Sequence, residues 1–167
     1  YIPLLTKKNE DFLEANFLNA DGSVFNVRND VIIKKFKSIT GIEERRYAKD
    51  HLNASDLAFF AAEKAILDAK IDQENIDYII VAHNFGDIKK DTEQSDMLPS
   101  LASRVKFNLG IKNPSCVCYD IIFGCPGWLE GVIQAQSFIK SGMAKTCLVI
   151  GAETLSRTYD LKDRDSM

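Results

Sequence analysis

Hydrophobic positions are irregular over the first fifty residues and then alternate between helical and strand spacing. From Asp11 to Leu18 the placement of Phe12, Leu13 and Phe17 predicts a short helix, and Asp21-Gly22 is a turn signal. Val31 to Phe36 is apolar at helical spacing and runs into Thr40-Gly41-Ile42. Asn53 or Ser55 can cap a helix through Lys70, where Ala58, Ala61, Ala62, Ala65 and Ala69 leave only a narrow polar stripe. Tyr78 to Ala82 is a continuous apolar run bounded by polar residues, as expected of a buried parallel strand. Pro99 suits the first turn of a helix that carries Leu101 and Val105 and stops at Gly110. Cys116 to Ile122 predicts a strand, Gly127 to Ser141 a helix ended by Gly142, and Thr146 to Ile150 a last strand. This order predicts an α/β fold: a mostly parallel sheet with helices on both faces.

Composition narrows the picture without changing it. A chain of 167 residues with 46% hydrophobic positions can build a real core. Its 21 basic and 24 acidic residues give a net charge of −3, and no stretch interleaves Lys and Arg with aromatics, so no nucleic-acid partner is expected. Lys34, Lys35 and Lys37 read as a solvated helix face. No run approaches the ~18 apolar residues of a membrane span, and no charged-then-apolar leader opens the chain. The expectation is therefore a soluble, cytoplasmic protein with no membrane partner. Tyr1-Ile2-Pro3 opens without an initiator Met and residues 163–167 stop in a polar segment, so both ends read as cut. The stretch from His83 to Asp96, with Asp87, Asp91, Glu93 and Asp96, reads as a solvated surface loop.

The four cysteines are too few for a disulfide scaffold. Cys116 and Cys118 sit in an apolar run, and neither His51 nor His83 lies at a metal-ligand spacing from a Cys, so no metal or other cofactor is expected. Cys116, Cys118 and Cys147 read as small buried hydrophobes. Cys125 differs. It falls between a predicted strand and a predicted helix, in Phe123-Gly124-Cys125-Pro126-Gly127. Ligands of open α/β sheets bind at the carboxyl ends of the strands, where His83-Asn84 and Gly151-Ala152-Glu153 also arrive. Unpaired N–H groups and the positive end of a helix dipole favour the thiolate, and the glycines let backbone approach a substrate. The layout resembles the nucleophile elbow of hydrolases with sulfur in place of oxygen.

The run from Tyr119 to Trp128 resembles the active-site segment of the β-ketoacyl-acyl carrier protein (ACP) synthase III family. Lys140-Ser141-Gly142 leading to residues 148–153, Ser156-Arg157-Thr158 and Asp163-Arg164 are similar to the family as well. Thr40-Gly41-Ile42 with Arg45 resembles its early signature, and Tyr1-Ile2-Pro3 the end of its first strand. The resemblance implies a thiolase-like fold built of two similar α/β halves. Residues 1–167 would be the N-terminal half, with most of the first strand missing and the C-terminal half absent.

It also implies a reaction. Cys125 would take an acyl group from acyl-CoA or acyl-ACP, and malonyl-ACP would attack the thioester in a decarboxylating Claisen condensation, in fatty-acid or polyketide-type synthesis. The acyl carrier protein would be a partner, and the protein a homodimer. The family's catalytic His and Asn would belong to the missing half, and neither His51 nor His83 matches that His. Lys35 and Ile39 stand where the family often carries a Trp and an Arg against the CoA adenine, while Arg164 remains as a substrate-binding residue. Alternative readings are a hydroxymethylglutaryl-CoA-synthase-like or thiolase-like enzyme, and a non-catalytic partner subunit. Pro126 and Trp128 favour the ketosynthase, and a retained Cys125 counts against a decoy.

Overall fold

The computed structural model describes residues 1–92 and 94–166. Glu93, one of the acids in the expected loop, lies outside the described residues, as does Met167. The chain divides into two compact units: Tyr1 with residues 50–154, and residues 2–49 with the stretch from Leu155 onward.

The larger unit is built on a sheet of three parallel strands, β3 (Tyr78–His83) between β6 (Val117–Ile122) and β7 (Cys147–Gly151). Side chains alternate across it. Ile79 and Val81 pack with Leu148, Ile150 and Cys118 against helices α2 (Ala54–Ala69) and α3 (Leu101–Leu109). Ile80, Ile121 and Val149 meet helix α4 (Gly127–Lys140) on the other face. The expected parallel sheet with helices on both faces is therefore present. Helix α2 comes close because Ala54, Ala58 and Ala62 are fully buried at a spacing of four, and a methyl is all that stands between the two backbones. Full burial of Ile79, Ile80 and Val81 contributes about 1.5–3 kcal/mol per side chain, which makes β3 the spine of the unit.

Helix ends follow the sequence closely. Asn53 caps α2 in a capping box with Asp56, and Gly110 closes α3 in the left-handed conformation. Pro99 sits just outside α3; Ser100 is the cap, and its hydroxyl accepts from the Ser103 N–H. The segment from His83 to Asp96 is not a plain solvated loop. It contains a small antiparallel hairpin, β4 (Asp87–Ile88) with β5 (Ser95–Asp96). Asp87 is only 5% exposed and accepts from the Ser55 N–H (2.7 Å), the Ser55 hydroxyl (2.5 Å) and Arg104 Nη1 (2.7 Å). Arg104 also reaches Asp96 at 2.7 Å, so one guanidinium pins both strands of the hairpin to α3.

The smaller unit packs α1 (Asn29–Thr40) through Ile32, Ile33 and Phe36 onto Phe17. Gly41 ends α1 with φ +70°, as the Thr-Gly pair suggests. The helix expected over residues 11–18 is replaced by one short 3-10 turn, Asn9–Phe12, because Phe12 and Phe17 each turn edge-on to Phe36 instead of lining one helix face. Residues 1–3 form no strand; the first strand is β1 (Leu5–Lys8), antiparallel to β2 (Glu44–Tyr47). Asn9 ties this ribbon by donating to the Ile42 carbonyl and accepting from Arg45, whose guanidinium lies 5.3 Å from the Phe36 ring centre. No helix of the described residues is long and apolar enough to cross a membrane.

Candidate active site

Cys125 lies in the turn from β6 into α4. Gly124 takes φ +67°, a conformation that strains any side-chain-bearing residue, and its carbonyl accepts the Gly127 N–H at 3.1 Å. Pro126 is the N-cap; its carbonyl accepts the Glu130 N–H at 3.0 Å, so the proline opens the helix as expected. The helix then lies flat on the sheet because its contact positions are glycines. A Cβ on Gly127 would come 3.2 Å from Ala82 Cβ, and one on Gly131 2.7 Å from Val149 Cγ1. Across the interface, Gly151 admits Trp128, whose Cβ would lie 3.3 Å from a Cβ placed there. Close packing on β3 and β7 fixes the start of α4, and with it the height of Cys125 above the strand ends.

The thiol itself is exposed. The other three are not equivalent to it. Burial pushes the Cys118 thiol up to about 12, with the neighbouring Cys116 adding to the effect. Burial also raises Cys116 and Cys147. A thiol held protonated is a poor nucleophile, which counts against these three, and exposure sets Cys125 apart.

The carboxyl edge of the sheet around this turn is cross-braced. His83, the last residue of β3, is paired in register with Ile122 of β6, and its side chain is fully buried. Its Nδ1 accepts the Gly86 N–H at 3.0 Å, which leaves the ring proton on Nε2 to donate to Asp120 Oδ2 at 3.0 Å. Asp120 also accepts from the Leu101 N–H (2.7 Å) and the Ala102 N–H (2.9 Å), placing a carboxylate on the first turn of α3. Beyond β7, Glu153 accepts the Asn84 N–H at 2.7 Å. Sequence reading brought His83-Asn84 and Glu153 to this edge but missed Asp120, whose partners lie 18 and more residues away. Asp120 stands in an apolar strand run, and a lone acid there was the available signal.

Arg164 belongs to the smaller unit. It lines a cavity of about 320 Å³ together with Phe25, Lys35, Phe36, Ile39 and Thr40. Its guanidinium carbon lies 3.8 Å from the Phe25 ring centre, and its Nε is 3.2 Å from Asp165. Lys35, Ile39 and Arg164, grouped in the sequence reading, thus line one cavity, and Phe25, which that grouping did not include, covers the guanidinium. Among the described residues no group of three or more His, Cys, Asp or Glu side chains could hold a metal ion.

Fold and site together define a thiolase-like α/β chain with a cysteine at its strand-to-helix turn. Residues 119–167 match the family model described as 3-oxoacyl-[acyl-carrier-protein (ACP)] synthase III. The chain is 44% identical over 128 residues to the beta-ketoacyl-[acyl-carrier-protein] synthase III 1 of Vibrio cholerae, a match covering 77% of this chain and 37% of that protein. It is 44% identical over 126 residues to the beta-ketoacyl-[acyl-carrier-protein] synthase III of Neisseria gonorrhoeae, covering 75% and 36%. The synthase III structures from Thermus thermophilus and Aquifex aeolicus superpose with TM-scores of 0.75 and 0.74 at 32% and 33% identity; each match covers 99% of this chain, and 44% and 46% of those chains. In sequence and in fold the chain is thus similar to the β-ketoacyl-ACP synthase III family. Its matches span a little over a third of the length of these curated relatives.

Proposed function

We propose that residues 1–167 are the N-terminal half of a β-ketoacyl-ACP synthase III-type condensing enzyme in which Cys125 carries the acyl group. The observation that carries this reading is the exposed Cys125 thiol at the start of α4, within a segment that matches the family model. In the first step the sulfur of Cys125 bonds to the thioester carbonyl carbon of an acyl donor. The donor's carbon–sulfur bond then breaks and its thiol leaves. Backbone N–H at the turn stabilises the intermediate oxyanion without reorganising. In the second step malonyl-ACP loses carbon dioxide, its carbanion bonds to the acyl carbon, and the Cys125 sulfur leaves. Donors for the decarboxylation come from the remaining part of the protein.

Arg164 belongs to the donor side in this reading. One face of its guanidinium is covered by Phe25, and Lys35 and Ile39 offer no aromatic or guanidinium plane for a purine. The donor preference is therefore weaker for acyl-CoA than in relatives that stack adenine, and acyl-ACP is accepted. The protein is cytoplasmic and works as a homodimer.

The test uses the full-length protein with an acyl donor and malonyl-ACP, the ketoacyl product being followed by mass spectrometry. Product formation that Cys125→Ala abolishes supports the reading, and product retained by Cys125→Ala overturns it. Acylation rates with acyl-CoA and acyl-ACP compared side by side decide the donor; a strong acyl-CoA preference retires that part of the proposal.

A further inference from the structure

Every polar atom of the buried His83 ring is committed, yet nothing in the acyl transfer uses it. Nδ1 holds the Gly86 N–H and Nε2–H holds Asp120. The preceding residue, Ala82, is the one that Gly127 packs against at the start of α4. Asp120 is on the strand that leads into Cys125 and anchors the first turn of α3. The turn after His83 is tied to β7 through Glu153 and Asn84. A single imidazole thus joins β3, β6, α3 and the turn at residues 84–86, on the edge of the sheet from which Cys125 projects.

We propose that His83 is a positioning residue for Cys125, and that it holds this edge only while its imidazole is neutral. An imidazolium has two donors and no acceptor, so a proton on Nδ1 expels the Gly86 N–H from its bond and frees the turn. Asp120 keeps its bond in either state; the turn does not. The charged groups on the elements around His83 are Asp120 on β6, Asp87 on β4, Arg104 on α3 bonded to Asp87, and Glu153 beyond β7. The turn packs directly on β5, since a Cβ placed on Gly86 would lie 2.7 Å from the Asp96 carbonyl oxygen.

This rests on the reading of Cys125 as acyl acceptor, and the experiment separates the two. In the full-length protein, the rate of acyl transfer to Cys125 is measured against pH for wild type, His83→Asn and His83→Gln. Asn places an acceptor that does not titrate near the Nδ1 position, and Gln places a donor near the Nε2 position. Wild type is expected to lose rate more steeply toward acid than His83→Asn, because only wild type has an imidazole whose protonation breaks the bond to the Gly86 N–H. His83→Gln, lacking the acceptor for Gly86, is expected to be slower by about tenfold at neutral pH. Profiles of the same shape for wild type and His83→Asn overturn the proposal, because a merely structural role lowers the rate equally at every pH. Should His83→Gln fail to fold, the other two profiles still decide. Should wild type accept no acyl group at neutral pH, the functional reading fails. The same profiles, taken with iodoacetamide on Cys125, then test the positioning role alone.

Discussion

Gly131 of α4 faces Val149 of β7 so closely that a Cβ on the glycine would lie 2.7 Å from the valine Cγ1. Real Cβ atoms do not approach so near, so Gly131→Ala has to lift the helix or displace β7. The expected cost is about 1–3 kcal/mol. Because α4 begins four residues earlier, at Gly127, just after Cys125, the same lift moves the thiol relative to the strand ends. We expect the rate of Cys125 alkylation to change along with the urea midpoint. An unchanged midpoint and an unchanged alkylation rate contradict the account of how α4 is seated.

Arg104 is the counter-charge of a carboxylate that has left water. Arg104→Ala strands Asp87, which is 5% exposed, with Ser55 as its remaining side-chain partner among the described residues. Breaking a buried pair in this way costs about 3–5 kcal/mol. The exposed half of the network is worth far less, and Asp96→Ala is expected to cost under about 1 kcal/mol. Chemical denaturation of the two variants checks the asymmetry; equal losses count against it.

The thiols also set an alkaline limit. Cys118 in the folded chain holds its proton up to about 12, whereas an unfolded thiol releases it near ~8.5. A raised folded-state value means that the stabilisation is complete below the unfolded value and is lost as pH rises through the window between the two. Cys116 and Cys147 shift in the same direction through burial. The urea midpoint is expected to fall from about pH 8.5 to 10.5. It is expected to fall less in Cys118→Ala; identical slopes contradict the burial argument.

Residues 1–167 alone are expected to give no ketoacyl product from an acyl donor and malonyl-ACP, while slow self-acylation of Cys125 remains open to them. Decarboxylation needs donors within hydrogen-bond reach of the extender's thioester oxygen. His83 has both ring nitrogens engaged elsewhere. Mass spectrometry that looks separately for acyl-protein and product checks this, and robust product from this chain refutes it.

The sequence revealed the elements whose causes are local. Tyr78 to Ala82 is apolar without a break because both faces of β3 are covered, and Gly110 and Gly142 stop helices where only a left-handed residue fits. The turn that holds Cys125 was legible for the same reason: Gly124, Pro126 and Gly127 write it into consecutive residues. What the sequence did not reveal depends on partners far along the chain. Asp120 finds α3 and His83, Arg104 reaches back to Asp87, and β1 pairs with β2 across some forty residues. No periodicity encodes such pairings. The polar look of residues 83–96 hid a buried carboxylate, because composition alone cannot tell a solvated Asp from one sealed against Ser55 and Arg104.

The most direct measurement is to expose the full-length protein to an acyl donor for seconds, quench it in acid, digest it and map the acyl group by mass spectrometry. The account predicts a thioester on the peptide containing Cys125, none on those containing Cys116, Cys118 or Cys147, and none anywhere in Cys125→Ala. An acyl group carried by another residue, or one that persists in Cys125→Ala, contradicts it.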